Sequence, residues 1–193
     1  MKQVPKITSD LPKKIYKKYY QKGSKAYLTL LEHSECVAAL SLEIANRHPE
    51  WKLDERFLYE AAMLHDVGMI FTDAPSIGCT GDCPYIMHGV LGADLLRKEG
   101  LERHALVCER HTGVGLTLEA IIRQRLPLPA REMVPISLEE QIICYADCFY
   151  SKSGDLKKKK KPESILLDLQ KKSEDDAIKF LTWCRLFEGN DSK

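Results

Sequence analysis

The sequence predicts an all-α protein built as a single domain. Apolar residues recur at alternating intervals of three and four, as in Leu30, Val37, Leu40 and Ile44, with His33 in step between them. No segment shows the strict alternation of a half-buried strand, and no internal repeat is present. A length of 193 residues suits one domain of ordinary size.

Each element follows from local signals. Pro5 to Asp10 reads as a loose lead-in, after which Asp10 is placed to cap a short basic helix with Pro12 in its first turn and Gly23 at its end. Ser24 opens a long helix, and Asp54 starts another with Phe57, Ala61 and Leu64 on one face, ending near Gly68. Phe71 to Met87 is rich in Pro, Gly, Asp and Cys and is expected to be a long loop, of the kind that often serves as a lid. A helix then runs through Leu91 and Leu95 to Gly100, a natural C-terminal cap. The next runs from about Glu102 to the Thr112-Gly113-Val114-Gly115 turn. Thr117 begins a short helix that stops before Pro127, and Ser137-Leu138-Glu139-Glu140 is a capping box for a helix through Asp147. Beyond the Lys157–Lys161 run, Pro162 reads as a first helical residue. Ser173 and Asp176 cap a final amphipathic helix carrying Ile178, Leu181, Trp183 and Leu186.

Composition excludes several classes. Hydrophobic residues at 44%, charged residues at 30% and a mean hydropathy of −0.30 give a soluble globular balance rather than disorder. A net charge of +1 exerts no global pull on nucleic acid or anionic lipid, so neither nucleic acid nor membrane is an expected partner. No apolar run approaches the roughly 18–20 residues that span a bilayer. The opening Met1-Lys2-Gln3-Val4-Pro5-Lys6 lacks a signal-peptide core. Seven cysteines make an odd number for a secreted disulfide framework. The expectation is a cytoplasmic protein.

Four histidines and two aspartates stand out by placement. His65-Asp66 ends an apolar helix, where burying both is expensive unless a metal or partner satisfies them. His33 lies on the inward stripe of the preceding helix. His88 opens a helix, His111 closes one, and Asp147 sits beside Ala146 in an apolar helix. A lone histidine on an apolar face is usually a core residue. Several helices each offering an imidazole or carboxylate from a buried face are, in contrast, how metal sites are built in helical bundles.

The order His33, His65-Asp66, His88, His111, Asp147 resembles the HD superfamily of metal-dependent phosphohydrolases, and His65-Asp66-Val67-Gly68 resembles its HDIG variant. The stretch Cys108 to Gly115, with Tyr145-Ala146-Asp147 and Ser151-Lys152, is similar to small stand-alone HDIG proteins. The resemblance implies an HD-domain helical bundle with a buried metal site: an N-terminal helical extension at 1–23, a core at 24–151, and a C-terminal helical extension packed on it at 152–193. It also implies two divalent transition ions. His33, His65, Asp66 and Asp147 would hold one, and Asp66 would bridge to another bound by His88 and His111. Asp66 and His65 stand at the centre of the catalysis so implied. Imidazole and carboxylate without thiolate suit iron or manganese, with nickel, cobalt, zinc or magnesium also compatible.

The implied reaction is hydrolysis of a small phosphorylated metabolite, a nucleotide or dinucleoside polyphosphate, by a hydroxide that two ions about 3.5–4 Å apart share. A branch of the superfamily uses the same residue pattern for a mixed-valence di-iron oxygenase. A third reading is a non-catalytic nucleotide-sensing module. Cyclic di-GMP phosphodiesterases of the HD-GYP type carry Lys where Met69 stands and a GYP tripeptide where Gly115-Leu116-Thr117 stands, which argues against that substrate.

Lys152, little more than a turn beyond Asp147, and Arg110, beside His111, are the candidate phosphate-binding residues. His104 lies roughly 10 Å along the helix from His111, too far to share its ion. His48 reads as a charge partner at a helix end. Cys79 and Cys83 read as small loop residues, the other cysteines as core, and Lys157–Lys161 as a solvated loop.

Overall fold

Most helices begin where a short side chain takes up a free backbone N–H. A computed structural model describes residue 7 and residues 9–188. In it α1 (Leu11–Tyr19) and α2 (Lys25–Arg47) are followed by α3 (Glu55–Leu64), α4 (His88–Lys98), α5 (Glu102–Arg110) and α6 (Leu118–Arg123). Then come α7 (Leu138–Cys148), α8 (Pro162–Gln170) and α9 (Glu174–Glu188). Ser24 accepts from the Tyr27 N–H, Asp54 from Phe57, Thr117 from Ala120, Ser137 from Glu140 and Ser173 from Asp176. Asp10 departs from expectation: its side chain caps nothing, and Ser9 Oγ instead accepts from the Leu11 N–H at 3.2 Å. The capping box at Ser137 is half-closed. Glu140 turns back to the Ile136 N–H at 2.8 Å and to Arg110 rather than to Ser137.

The long helix α2 buries Leu30, Val37, Leu40 and Ile44 together with His33. It packs against α3 and α7, and α4 packs against α5. One core runs from Ile15 in α1 to Phe187 in α9, so the two C-terminal helices share it. A smaller cluster of Val90, Ile121 and Met133 is closed by the pairing of Leu116 with Met133.

The segment expected as a loop has structure of its own. Short 3-10 turns form at Val67–Phe71, Pro75–Ile77 and Tyr85–Met87. β1 (Asp73–Ala74) pairs antiparallel with β2 (Cys79–Thr80), Asp73 opposite Thr80. Chains rich in Pro and Gly carry no periodic pattern, so the sequence signals a break without showing how it folds. All seven cysteines are free, and burial pushes the Cys79 thiol up to about 11.

The exposed face of α9 corrects the sequence reading. Ala177, Phe180, Trp183 and Phe187 are buried, while Ile178, Leu181 and Leu186 face outward. The aromatic rings win the inward face because each removes more apolar area from water than an aliphatic side chain. Phe180 and Phe187 pack on Tyr145 of α7, and Trp183 Nε1 donates to Gln141. Among the described residues, no helix is long and apolar enough to cross a membrane.

Candidate metal centre

Five elements deliver six side chains to one point. His33 projects from the middle of α2. His65 caps the C-terminus of α3, and Asp66 leaves the helix there, with φ −105° and ψ 7°. That break lets two consecutive residues reach the same place, which an unbroken helix forbids because neighbouring side chains diverge. His88 is the first residue of α4, His111 caps α5, and Asp147 is the penultimate residue of α7.

Asp66 divides the cluster. Its Oδ2 lies 3.2 Å from Nε2 of both His33 and His65, and Asp147 Oδ1 completes that group at 2.9 Å and 3.5 Å from the same two nitrogens. Its Oδ1 lies 3.3 Å from Nε2 of both His88 and His111, which are 3.1 Å apart. The result is two sets of convergent ligand atoms sharing one carboxylate: His33, His65, Asp66 and Asp147, and Asp66, His88 and His111.

The imidazoles are oriented from behind. Nδ1 of His65 is 2.6 Å from the Ala62 carbonyl, that of His88 is 2.7 Å from Tyr85 and that of His111 is 2.7 Å from Cys108. A carbonyl can only accept, so each Nδ1 carries a proton and Nε2 is the nitrogen turned to the centre, free to bind a cation once it is deprotonated. Two buried thiols brace the same backbone: Cys108 donates to the His65 carbonyl at 2.8 Å and Cys144 to the His111 carbonyl at 3.2 Å. The sequence marked these cysteines only as core.

Glycine sets the approach of α4. A Cβ on Gly68 would stand 2.2 Å from the Gly92 nitrogen and from the His88 carbonyl, so the turn after His65-Asp66 and the first turn of α4 touch backbone to backbone. A Cβ on Gly89 would likewise meet the Cys108 carbonyl at 2.7 Å. These contacts draw His88 and His111 onto Asp66.

Polar burial here is extreme. His33, His65 and Asp66 are fully enclosed; Asp66 faces four imidazole nitrogens and the Lys152 ammonium, and among the described residues His33 Nδ1 lacks a hydrogen-bond partner. A buried carboxylate ringed by imidazole nitrogens on both oxygens is the environment of a cation ligand. Burial opposes charge on His65, yet Asp66 and Asp147 outweigh it and raise its pKa to about 10. His88 is lowered to about 4 by burial, with His111 and Lys152 adding to the effect. Asp66 and Asp147 stay well below the usual carboxylate range against the effect of burial, because Lys152 and the histidines favour their charged forms.

Solvent reaches the centre at Asp147 and Lys152, whose side chains are 13% and 17% exposed. The Lys152 ammonium lies 2.8 Å from Asp66 Oδ2 and 3.5 Å from Asp147 Oδ1, at the mouth of the site. Arg110 is not brought to the cluster: Glu140 takes its guanidinium at 3.0 and 3.1 Å. Placing Arg110 beside His111 in sequence said nothing about direction, because neighbours on a helix point about 100° apart. His104 packs edge-on against Phe57, and His48 stacks on Trp51. Tyr85 is a site residue that the sequence did not single out. Its ring stacks on His88 with centroids 4.6 Å apart.

The model of the HD domain family matches residues 30–151. The chain belongs to the HD domain family. Its match contains all six clustered side chains, and α8 and α9 lie beyond it. An uncharacterized protein of Methanocaldococcus jannaschii is 36% identical over 121 residues, 61% of this chain and 64% of its own. A tRNA (cytidine(56)-2'-O)-methyltransferase of Picrophilus torridus is 33% identical over 119 residues, 61% of this chain and 30% of that protein. One of the same name from Thermoplasma volcanium is 31% identical over 159 residues, 82% of this chain and 40% of that protein. The HD chain thus spans less than two thirds of the length of each of these relatives. No solved structure matches it significantly. The HD domain is the signature of a metal-dependent phosphohydrolase superfamily, and the buried histidine–aspartate cluster fits a divalent metal site.

Proposed function

We propose that this HD protein is a metal-dependent phosphohydrolase acting on a small phosphorylated metabolite, a nucleotide or dinucleoside polyphosphate. The observation that carries the reading is the division of Asp66, one oxygen toward His33, His65 and Asp147 and the other toward His88 and His111. The first set would hold one ion and the second set another, with Asp66 shared. Nitrogen and oxygen donors favour iron or manganese, and the nearby thiols of Cys108 and Cys144 are turned to backbone carbonyls. When bound, two such ions supply Lewis acidity toward a phosphoryl oxygen and lower the pKa of water.

The chain's own residues do the rest. His65, His88 and His111 are held with Nε2 toward the centre, which lowers the reorganisation needed on loading. Lys152 stands at the open side and would meet a substrate phosphate as a point charge. Enclosure of His33, His65 and Asp66 keeps bulk water from the ligand side of the centre and leaves access at Asp147 and Lys152. A phosphate ester of RNA is a second substrate class, favoured by the two relatives whose names describe action on tRNA.

The test is a metal assay of anaerobically purified protein, followed by a screen of nucleotides, dinucleoside polyphosphates and tRNA. Each is incubated with Mn²⁺ or Fe²⁺, with and without dioxygen. Hydrolysis should proceed equally in both atmospheres, since no redox change is required. Turnover that consumes stoichiometric dioxygen would overturn the hydrolase in favour of the di-iron oxygenase. Well-folded protein that binds no metal would overturn both.

A further inference from the structure

Three buried tyrosines among the described residues each find an acceptor. Tyr16 donates to the Met63 carbonyl, Tyr20 to the Val67 carbonyl at 2.7 Å, and Tyr145 to Glu188 at 3.0 Å. Tyr85 breaks the pattern. Its hydroxyl is enclosed, and its O–H finds no acceptor among the described residues, since the neighbouring Lys152 ammonium can only donate. A buried hydroxyl without a partner forfeits its hydration for nothing, and phenylalanine would fill the same space without that penalty.

The position of the ring is fixed from two sides. Tyr85 opens the 3-10 turn Tyr85–Met87, its ring lies 18° from parallel to that of His88, and its carbonyl accepts from His88 Nδ1 at 2.7 Å. The hydroxyl sits within the electrostatic reach of Asp66, Lys152 and Asp147, the groups at the open side of the centre. The hydroxyl and the Lys152 ammonium therefore lie side by side near Asp66, and the hydroxyl's own O–H is unspent there.

We propose that Tyr85 is a substrate-binding residue whose hydroxyl donates a hydrogen bond to a non-bridging oxygen of the phosphoryl group, beside the Lys152 ammonium. The proposal rests on the phosphohydrolase reading and deepens it by naming what the site recognises: a phosphoryl oxygen gripped by one neutral and one charged donor. Tyrosine suits this task because it brings a neutral donor on a rigid arm, held by the stack on His88.

Tyr85→Phe removes the donor and keeps the stack. Wild-type and Tyr85→Phe protein, each loaded with Mn²⁺, are titrated with inorganic phosphate by calorimetry. Manganese content and melting temperature are measured alongside. Loss of a hydrogen bond to a charged oxygen should weaken phosphate binding about tenfold or more. Manganese content should be unchanged, and the phosphate-free melting temperature equal to or above that of the wild type, because the orphaned hydroxyl is gone. Equal phosphate affinity in the two proteins would overturn the role of Tyr85 and leave the hydrolase reading standing. A fall in manganese content or in melting temperature would also overturn it, by showing that the hydroxyl supports the fold or His88. Absence of phosphate binding by the loaded wild type would overturn the underlying reading itself.

Discussion

Replacing Asp66 with asparagine preserves its shape but removes the one charge that both ligand sets share. In the wild type an ion present at about 1,000 times its Kd stabilises the fold by about 4 kcal/mol. For a chain of this size that corresponds to a rise in Tm of roughly 8–16 °C. Asp66 approaches four imidazole nitrogens at 3.2–3.3 Å, so Asp66→Asn should abolish nearly all of that rise. His88→Ala touches one set only and should keep part of it, with metal content falling toward a single ion per chain. Asp66→Asn also leaves the Lys152 ammonium with Asp147 as its one carboxylate partner, at 3.5 Å. Breaking a buried pair in this way costs about 3 kcal/mol or more, so the metal-free variant should itself melt lower than the metal-free wild type. The assay is thermal denaturation with and without Mn²⁺ after EDTA treatment, with metal content confirmed by elemental analysis. If Asp66→Asn bound as much metal and gained as many degrees as the wild type, the assignment of Asp66 as the shared ligand would be wrong.

Gly68→Ala would place its Cβ 2.2 Å from backbone atoms of α4, and overpacking of about 1–3 kcal/mol should lower Tm by roughly 2–12 °C and displace His88, which metal content would register. Metal binding should release protons at pH 7, because in the metal-free fold His65 holds its proton to about pH 10; calorimetry in buffers of different ionisation enthalpy measures the number. The sign at the two ends of the pH scale differs. The stability from His65, whose pKa is raised, is complete below its ordinary value near 6.5 and lost as pH rises toward about 10; His88, held down to about 4, destabilises the metal-free fold as pH falls from about 6.5 to about 4. A melting series over pH 4–10 on EDTA-treated protein checks both. Lys152→Ala should raise KM more than it lowers kcat on a confirmed phosphorylated substrate, since a charge on a non-reacting phosphate stabilises ground and transition states alike.

Helix by helix, much of the fold was legible because its signals are local. Ser24, Asp54, Thr117, Ser137 and Ser173 each cap the helix they precede, and the stripe through Leu30, Val37, Leu40 and Ile44 is the buried face of α2. The six ligand-type residues were legible for a related reason. A histidine or aspartate on an apolar stripe or at the end of an apolar helix is costly wherever the helix packs, so its presence needs an explanation even before a partner is known.

Direction and partnership were decided only in three dimensions. The sequence placed Arg110 beside His111, but α5 turns it to Glu140, and no local pattern distinguishes the two. It grouped Ile178, Leu181, Trp183 and Leu186 as the apolar residues of the last helix; Trp183 is buried, but the other three face outward, and the rings of Phe180 and Phe187 take the inner face because Tyr145 stands opposite on α7. Tyr85 reached the site only because the Pro- and Gly-rich segment folds into turns that stack it on His88. That Asp66 is shared by two ligand sets was already implied by the family resemblance, but the backbone contact of α4 at Gly68 that brings His88 to it was not. Periodicity and capping depend on residues within a turn or two of each other, so one sequence suffices to read them. Which groups meet across helices depends on packing summed over the whole chain, and that sum belongs to the tertiary structure.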